Sequence, residues 1–273
     1  MADGAARKIS LGFSPCPNDT FIFDALVNGR VSLPGCALRA VLHDVETLNQ
    51  MAFDQVLDVT KLSFYAWLKV QANYRLLASG GALGYGCGPL VIARKPLRRE
   101  DMSGCRIVLP GQWTTAHLLL QLWAPEARQR RFVPYDRIFA ALDAGEADCG
   151  VIIHESRFTF QAAGFQAVVD LGAWWEAETG LPIPLGCIAA HRRVPKDLLP
   201  QLEEKIRNSI EAARQDPQSA LPYIRAHAQE MTIEVLRAHI DTFVNDFSRD
   251  LGTTGRKAIE TLAARAQQAG LLV

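Results

Sequence analysis

With 273 residues, 49% of them hydrophobic and 21% charged, the chain has enough apolar material for one large or two modest domains with a full core. Lysine plus arginine equals aspartate plus glutamate at 29 each, so nothing in the overall charge favours nucleic acid or an anionic membrane as partner. The six cysteines, at 16, 36, 87, 105, 149 and 187, form no C-x-x-C pair and no Cys/His group at zinc spacing, which argues against a metal site and for reduced, mostly buried thiols.

The N-terminal residues 1–8 lack the apolar stretch of a secretory signal, and no apolar run reaches the ~18 residues of a membrane helix, so a cytoplasmic chain is expected. Residues 7–13 predict a first strand. It runs into Ser14-Pro-Cys-Pro-Asn18-Asp19-Thr20, where two prolines stiffen the turn and Asn18, Asp19 or Thr20 can cap a helix over 21–27. A strand over 38–42, a helix opening at Asp44 and a strand over 57–60 lead to Lys61-Leu62-Ser63 and an aromatic helix over 64–70. A strand over 74–78 precedes a glycine-rich loop at 80–89, and 90–93 is again strand-like. The charged stretch 94–101 reads as a crossing into a second α/β unit.

That unit has strands over 105–109 and 131–134, a helix over 117–123 behind Pro110-Gly-Gln-Trp-Thr114-Thr115-Ala116, and a helix over 135–144 that stops at Gly145. Residues 149–153 are apolar without period-2 alternation, as in a strand buried on both faces. A strand over 165–171, a short helix over 174–179 and a proline-rich loop over 181–186 follow. Residues 187–191 then form a strand going back across. Four amphipathic helices, over 196–214, 217–228, 232–246 and 253–269, make a tail expected on the first lobe. The order implies an α/β protein of two lobes, 1–94 with 187–273 and 95–186, joined by two crossovers and separated by a cleft. Such a cleft is the default place for a small ligand.

The apolar run over 149–153 stops at His154-Glu155-Ser156-Arg157, at the carboxyl end of a strand, where ligands of open α/β sheets collect. Read alone, His154 fits a capping or surface histidine as well as a functional one. Ser14 to Thr20 and Gly111 to Ala116 each bring hydroxyl or amide groups and free N–H groups to a helix start, which suits a carboxylate or polyhydroxy ligand, although Thr114-Thr115 also fits a plain cap. Lys61 and Ser63 end a strand of the first lobe and would add a positive charge and a hydroxyl. The glycine cluster lacks the spacing and the Lys-Ser/Thr ending of a phosphate loop, and suits close backbone approach or a hinge. Trp174-Trp175 reads as lobe packing. Cys16 stands at a helix start where its pKa could fall, but it has no assigned base. Proton abstraction by His154 is the best-supported reaction class.

Together, Ser14-Pro-Cys-Pro-Asn-Asp-Thr-Phe-Ile-Phe23, Asp44-Val-Glu-Thr-Leu-Asn49, Thr60-Lys-Leu-Ser63, Gly88-Pro-Leu90, Thr114-Thr-Ala116, Ile152-Ile-His-Glu-Ser-Arg-Phe-Thr159 and Thr179-Gly-Leu-Pro-Ile-Pro-Leu-Gly186 resemble the 1,4-dihydroxy-6-naphthoate synthase family of the futalosine route to menaquinone. The resemblance implies a type II periplasmic-binding-protein-like fold. It also implies conversion of cyclic dehypoxanthine futalosine to 1,4-dihydroxy-6-naphthoate with loss of a three-carbon fragment, without metal or organic cofactor. It places the proton acceptor on His154 and substrate binding on Lys61, Leu62, Ser63, Thr115 and Ala116; the residue reading adds Ser14, Asn18 and Thr114. The expected partner is a small-molecule carboxylate, with no nucleic acid or membrane. Trp113 and Cys149 depart from the family's expected pattern and bear on cleft shape. The rival readings are the sister chorismate dehydratase, against which the Ile-Ile-His-Glu and Ser-Pro-Cys-Pro-Asn-Asp strings speak, and a non-catalytic carboxylate-binding protein of the same fold. A ligand-sensing regulator is disfavoured because a core strand already begins at residue 7.

Overall fold

The computed structural model describes residues 6–229 and 232–272; residues 1–5, part of the segment read above as lacking a signal, lie outside them. The chain begins with β1 (Arg7–Phe13), α1 (Pro17–Val27), β2 (Cys36–Leu42), α2 (Val45–Phe53), β3 (Val59–Ser63), α3 (Phe64–Val70), β4 (Tyr74–Leu76) and β5 (Ala82–Gly84). It continues with β6 (Leu90–Ala93), β7 (Ile107–Leu109), α4 (Thr115–Trp123), β8 (Arg130–Phe132), α5 (Ile138–Asp143), β9 (Cys149–Ile152), α6 (Ser156–Thr159), β10 (Gln166–Asp170) and α7 (Leu171–Thr179). β11 (Ile183–His191) is followed by α8 (Leu199–Gln215), α9 (Pro217–His227), α10 (Ile233–Phe243), α11 (Asp246–Arg249) and α12 (Gly252–Gln268).

Two sheets result, each the centre of a lobe. The first has the order β2-β1-β3-β11-β4, with β5 also paired to β11; the second is β10-β6-β9-β7-β8. β1 lies parallel to β2 and β3, whereas β11 runs antiparallel to β3, β4 and β5. Alternation along β1 sends Ile9, Leu11 and Phe13 to one face, where they pack with Phe21, Ile22 and Phe23 of α1. Leu202, Ile206 and Ile210, spaced four apart along α8, join the same cluster. β9 is buried along its whole length, parallel to β7 on one side and antiparallel to β6 on the other.

The crossing lies earlier than the charge pattern suggests. Leu90–Ala93, expected to close the first lobe, instead pairs with β9 and β10 in the second sheet, so the chain crosses over 85–89. The residues 94–101 are a largely exposed connection inside the second lobe. An apolar run reports burial but not which sheet supplies it, and a charge run marks any exposed connection, not only one between lobes. The return is also earlier than residue 187, because Ile183 and Pro184 already pair with β5.

The helical tail needs a smaller revision. α8 and α9 pack on α1, as expected of a first-lobe tail. α12 also reaches the other side: Ile259, Leu262 and Ala266 share a core with Leu118 to Leu120 of α4 and Trp175 of α7. Arg265 lies 5.5 Å from the Trp175 ring centre and donates to the Glu178 carbonyl at 3.2 Å. Trp175 is fully buried, in keeping with its expected packing role. Among the described residues no helix is long and apolar enough to cross a membrane.

At the first crossing Gly88 lies against Gly172 at the start of α7, so closely that a Cβ on Gly88 would meet the Gly172 Cα at 2.2 Å. Backbone, unlike a side-chain tip, cannot yield cheaply. Gly88→Ala is expected to reduce unfolding free energy by about 2 kcal/mol or more in urea melts. Gly104→Ala, whose new methyl would have its nearest neighbour at 3.8 Å, is expected to cost less than about 1 kcal/mol. Equal stability of G88A and the wild type would contradict the packing described.

Candidate active site

β9 ends at Ile152, and two residues later the backbone turns sharply. His154 has φ = 56°, one of two non-glycine residues with positive φ among those described. That conformation is uncommon for a side chain of this size and is of the kind held in place at functional sites. The turn places the imidazole on the wall of a cleft between the lobes, about 690 Å³ including its open mouth. Among the described residues no protein group hydrogen-bonds to the His154 ring, which meets the Tyr135 ring edge-on at 5.1 Å between centres. Burial drives its pKa down to about 4; Asp19 and Asp44 oppose the shift, and Lys61 adds to it. The imidazole is therefore neutral throughout the physiological range, further below the ordinary value of ~6.5 than the sequence suggests.

The first-lobe wall is built around a buried ion pair. Lys61 Nζ lies 2.5 Å from Asp19 Oδ1, and both side chains are almost wholly shielded from solvent. Asp19 Oδ2 accepts from the Ser14 hydroxyl at 2.7 Å and the Ser14 N–H at 3.1 Å, and Oδ1 accepts from Asn18 Nδ2 at 2.9 Å. Asp19 therefore binds the β1–α1 turn to β3 rather than capping a helix. Beside it, the Ser63 hydroxyl accepts from Asn49 Nδ2 at 3.1 Å, which leaves its own proton free to point at a ligand.

The second-lobe wall is the start of α4. Thr114 caps it, accepting from the His117 N–H at 3.2 Å while donating to the Gly111 carbonyl. Thr115 and Ala116 border the cleft, and their N–H groups, in the first turn, have no acceptor within the helix. The Thr115 hydroxyl donates to the Leu185 carbonyl at 2.7 Å, so Thr115 offers its backbone rather than its side chain. Glu46 of α2 reaches across the cleft to accept from the Gln112 and Trp113 N–H groups at 2.9 and 3.2 Å. Trp113 itself packs against Phe53 and Tyr65 of the first lobe.

Ser14, Asn18, Lys61, Ser63, Thr114, Thr115, Ala116 and His154 thus line one cleft. Leu62 does not: it lies between two cleft-facing residues on a pleated strand, and its side chain enters the core on the opposite face. Cys16 also departs from expectation, since burial first and the Glu155 charge second push its thiol pKa up rather than down. The helix start does not offset that burial. Two cleft groups received no role from the sequence. Arg157 binds the Gly88 carbonyl and Asp170, both at 2.6 Å, tying the His154 segment to the crossing. Phe243 comes from the tail, where only the apolar stripe of α10 could have marked it as inward-facing. Among the described residues no group of three His, Cys, Asp or Glu side chains is arranged to hold a metal ion.

Residues 9–268 match the family described as menaquinone biosynthesis. The chain belongs to that family. A 1,4-dihydroxy-6-naphthoate synthase of Thermus thermophilus is 51% identical over 97% of this chain and 96% of its own length. One of Streptomyces coelicolor is 42% identical over 98% and 96%. Relatives so named indicate an enzyme. A crystal structure of a protein from Archaeoglobus fulgidus superimposes with a TM-score of 0.91 at 32% identity, covering 97% of this chain and 98% of that one. The alkanesulfonate-binding protein of Xanthomonas axonopodis gives 0.72 at 15% identity, covering 100% and 96%, which shows the shared periplasmic-binding-protein-like fold.

In this family member a buried neutral imidazole also affects stability. His117, whose ring nitrogen is 2.8 Å from the Gln112 carbonyl, has its pKa lowered to about 4, by burial first and then by Arg130. A histidine held below its unfolded value makes the unfolded chain bind more protons as pH falls below ~6.5, so stability declines from there toward pH 4. The stability gap between wild type and His117→Gln, followed by urea unfolding, is expected to narrow by about 1.5 kcal/mol from pH 6.5 to 5. A gap independent of pH would contradict a neutral His117 in the folded protein.

Proposed function

We propose that the protein is a 1,4-dihydroxy-6-naphthoate synthase of menaquinone biosynthesis. In this reading it is a carbon–carbon lyase that converts cyclic dehypoxanthine futalosine to 1,4-dihydroxy-6-naphthoate and dihydroxyacetone in the cytoplasm. The observation that carries the reading is the neutral imidazole of His154, without a hydrogen-bond partner among the described residues, lining the same cleft as the unpaired start of α4. Identities of 51% and 42% over nearly the full chain to relatives of that name support the choice of product.

The chemistry follows from what each group has left to offer. The aryl carboxylate of the substrate docks on the Thr115 and Ala116 N–H groups, where the α4 dipole favours negative charge. The Ser63 hydroxyl donates from the opposite wall. Lys61, already neutralised by Asp19, uses its remaining N–H groups to orient a hydroxyl or carbonyl rather than to attract charge from afar. Ser14, Asn18 and Thr114 have their hydrogen bonds committed within the protein and act as the scaffold of the walls.

His154 accepts a proton from a substrate hydroxyl or an acidified C–H, and the nearby Asp19 and Asp44 carboxylates stabilise the imidazolium that forms. The carbon–carbon bond then breaks to release the three-carbon fragment, driven by completion of the second aromatic ring. Contact between Glu46 and the Gln112–Trp113 backbone keeps the lobes together over the intermediate and excludes water. The reading calls for no metal or organic cofactor.

Purified protein incubated separately with cyclic dehypoxanthine futalosine and with chorismate is expected to give naphthoate absorbance with the first and no turnover of the second. His154→Ala should lower kcat about 100-fold or more. Ser63→Ala should raise KM about tenfold with little change in kcat, as expected for the loss of one hydrogen bond to a charged group. No naphthoate from the wild type, or near-normal turnover by H154A, would overturn the proposal.

A further inference from the structure

The geometry points to His239 as a positioning residue for the reaction proposed above: from behind the cleft wall its ring fixes the orientation of His154, and its Nε2–H fixes that of Asn18. The inference rests on that reading for its kinetic part alone.

His239 lies in the middle of α10, between Leu236 and Phe243 on the helix's buried face. An imidazole in an apolar stripe, 0% exposed, is an anomaly unless something holds it there. What holds it is a chain of hydrogen bonds whose polarity can be read from one end. Lys61 binds Asp19, so the carboxylate is an acceptor only. The Asn18 side chain approaches it at 2.9 Å, so the amide NH2 must face Asp19 and the amide oxygen must face away. That oxygen lies 2.9 Å from His239 Nε2, which must therefore carry the proton. The tautomer is set by the ion pair at the far end of the chain.

The other nitrogen, Nδ1, is then a bare lone pair, buried and without a partner among the described residues. No acceptor waits there for a second proton, so the ring remains neutral. Burial, His154 and Lys61 all act in the same direction. The centre of this neutral ring lies 6.2 Å from the centre of the His154 ring, with the two planes 15° apart. Phe243 at 4.8 Å and Phe158 at 6.5 Å, centre to centre, complete an apolar backing.

His154 needs such a backing. It sits on a turn with positive φ, and among the described residues no protein hydrogen bond orients its ring and its only other aromatic neighbour meets it edge-on. The charged and titratable groups facing His154 come from α1 (Asp19), β3 (Lys61), the cap of α2 (Asp44), the turn at Tyr135 and α10 (His239). Of these only His239 presents a parallel ring face. It therefore limits rotation of the base and keeps water from its rear, while its Nε2–H keeps the Asn18 amide turned toward Asp19 in the cleft wall.

The two duties separate by substitution. His239→Gln keeps an N–H donor for Asn18 but removes the ring. His239→Phe keeps a ring but removes the donor. The readouts are kcat, KM and the protonation of His154 followed by NMR in histidine-labelled full-length protein. H239Q is expected to lower kcat about tenfold with KM within threefold, and to raise the His154 midpoint by more than one pH unit, so that protonation is visible at pH 5.5. H239F is expected to raise KM about fivefold with kcat within threefold and to leave His154 neutral at pH 5.5. If H239Q does not fold, H239F alone decides, through its KM and its unmoved midpoint. Wild-type kinetics in both variants would overturn the inference. So would equal losses in kcat and KM with the midpoint unmoved, the pattern of a scaffold residue only. Should the wild type fail to turn over cyclic dehypoxanthine futalosine, the NMR midpoints still test the positioning of His154 independently of the substrate.

Discussion

The cleft depends on one buried ion pair. Removing a carboxylate and an ammonium from water costs several kcal/mol each, and attraction between them offsets that only when the remaining lone pairs and protons are satisfied. Asp19 meets the condition by accepting from Lys61, Asn18 and both the hydroxyl and N–H of Ser14. The same four bonds draw the turn after β1 onto the end of β3 and so define the first-lobe wall. Asn18, held on one side by Asp19, holds His239 on the other. A single charge pair thereby orders groups drawn from residues 14 to 239. It also means that Lys61, at first sight the obvious anion receptor, carries little free charge.

In the proposed reading anion recognition passes to the second lobe, where the N–H groups of a helix start serve in place of a full charge. A helix start offers N–H groups already oriented by the backbone, and those of Thr115 and Ala116, two residues that border the cleft, have no acceptor within the helix. The two walls are brought together by Glu46 and by Trp113, which packs among first-lobe aromatics. Between them stands a histidine made neutral by burial. Burial holds its pKa down while the Asp19 and Asp44 carboxylates oppose that shift, an environment that suits the proton acceptor proposed above.

Much of this was legible because the signals are local. Apolar runs ending in polar residues gave the strands and the position of His154, and a cap residue gave the helix start at Thr114; the first helix instead begins at Pro17, ahead of the cap candidates Asn18, Asp19 and Thr20, with Cys16 at its N-cap and no side-chain cap bond. Leu62 shows the limit of reading a motif as a block, since the pleat turns every second residue away from the site. The crossing at 85–89 was misplaced because charge marks exposure, whereas only strand pairing decides which sheet Leu90–Ala93 joins. Asn18 and His239 are 221 residues apart, and no local pattern links them. The one available sign was a histidine in an otherwise apolar helix stripe.

The central claim is that a carboxylate substrate is held between the α4 start and Ser63 with its reacting end at His154. The most direct measurement is a crystal structure of the protein with 1,4-dihydroxy-6-naphthoate bound. The expected result places the carboxylate on the Thr115 and Ala116 N–H groups and a ring hydroxyl within about 3 Å of the His154 imidazole, hydrogen-bonding distance for a general base. A naphthoate bound with its carboxylate elsewhere, or with His154 out of reach of every ring oxygen, would contradict it.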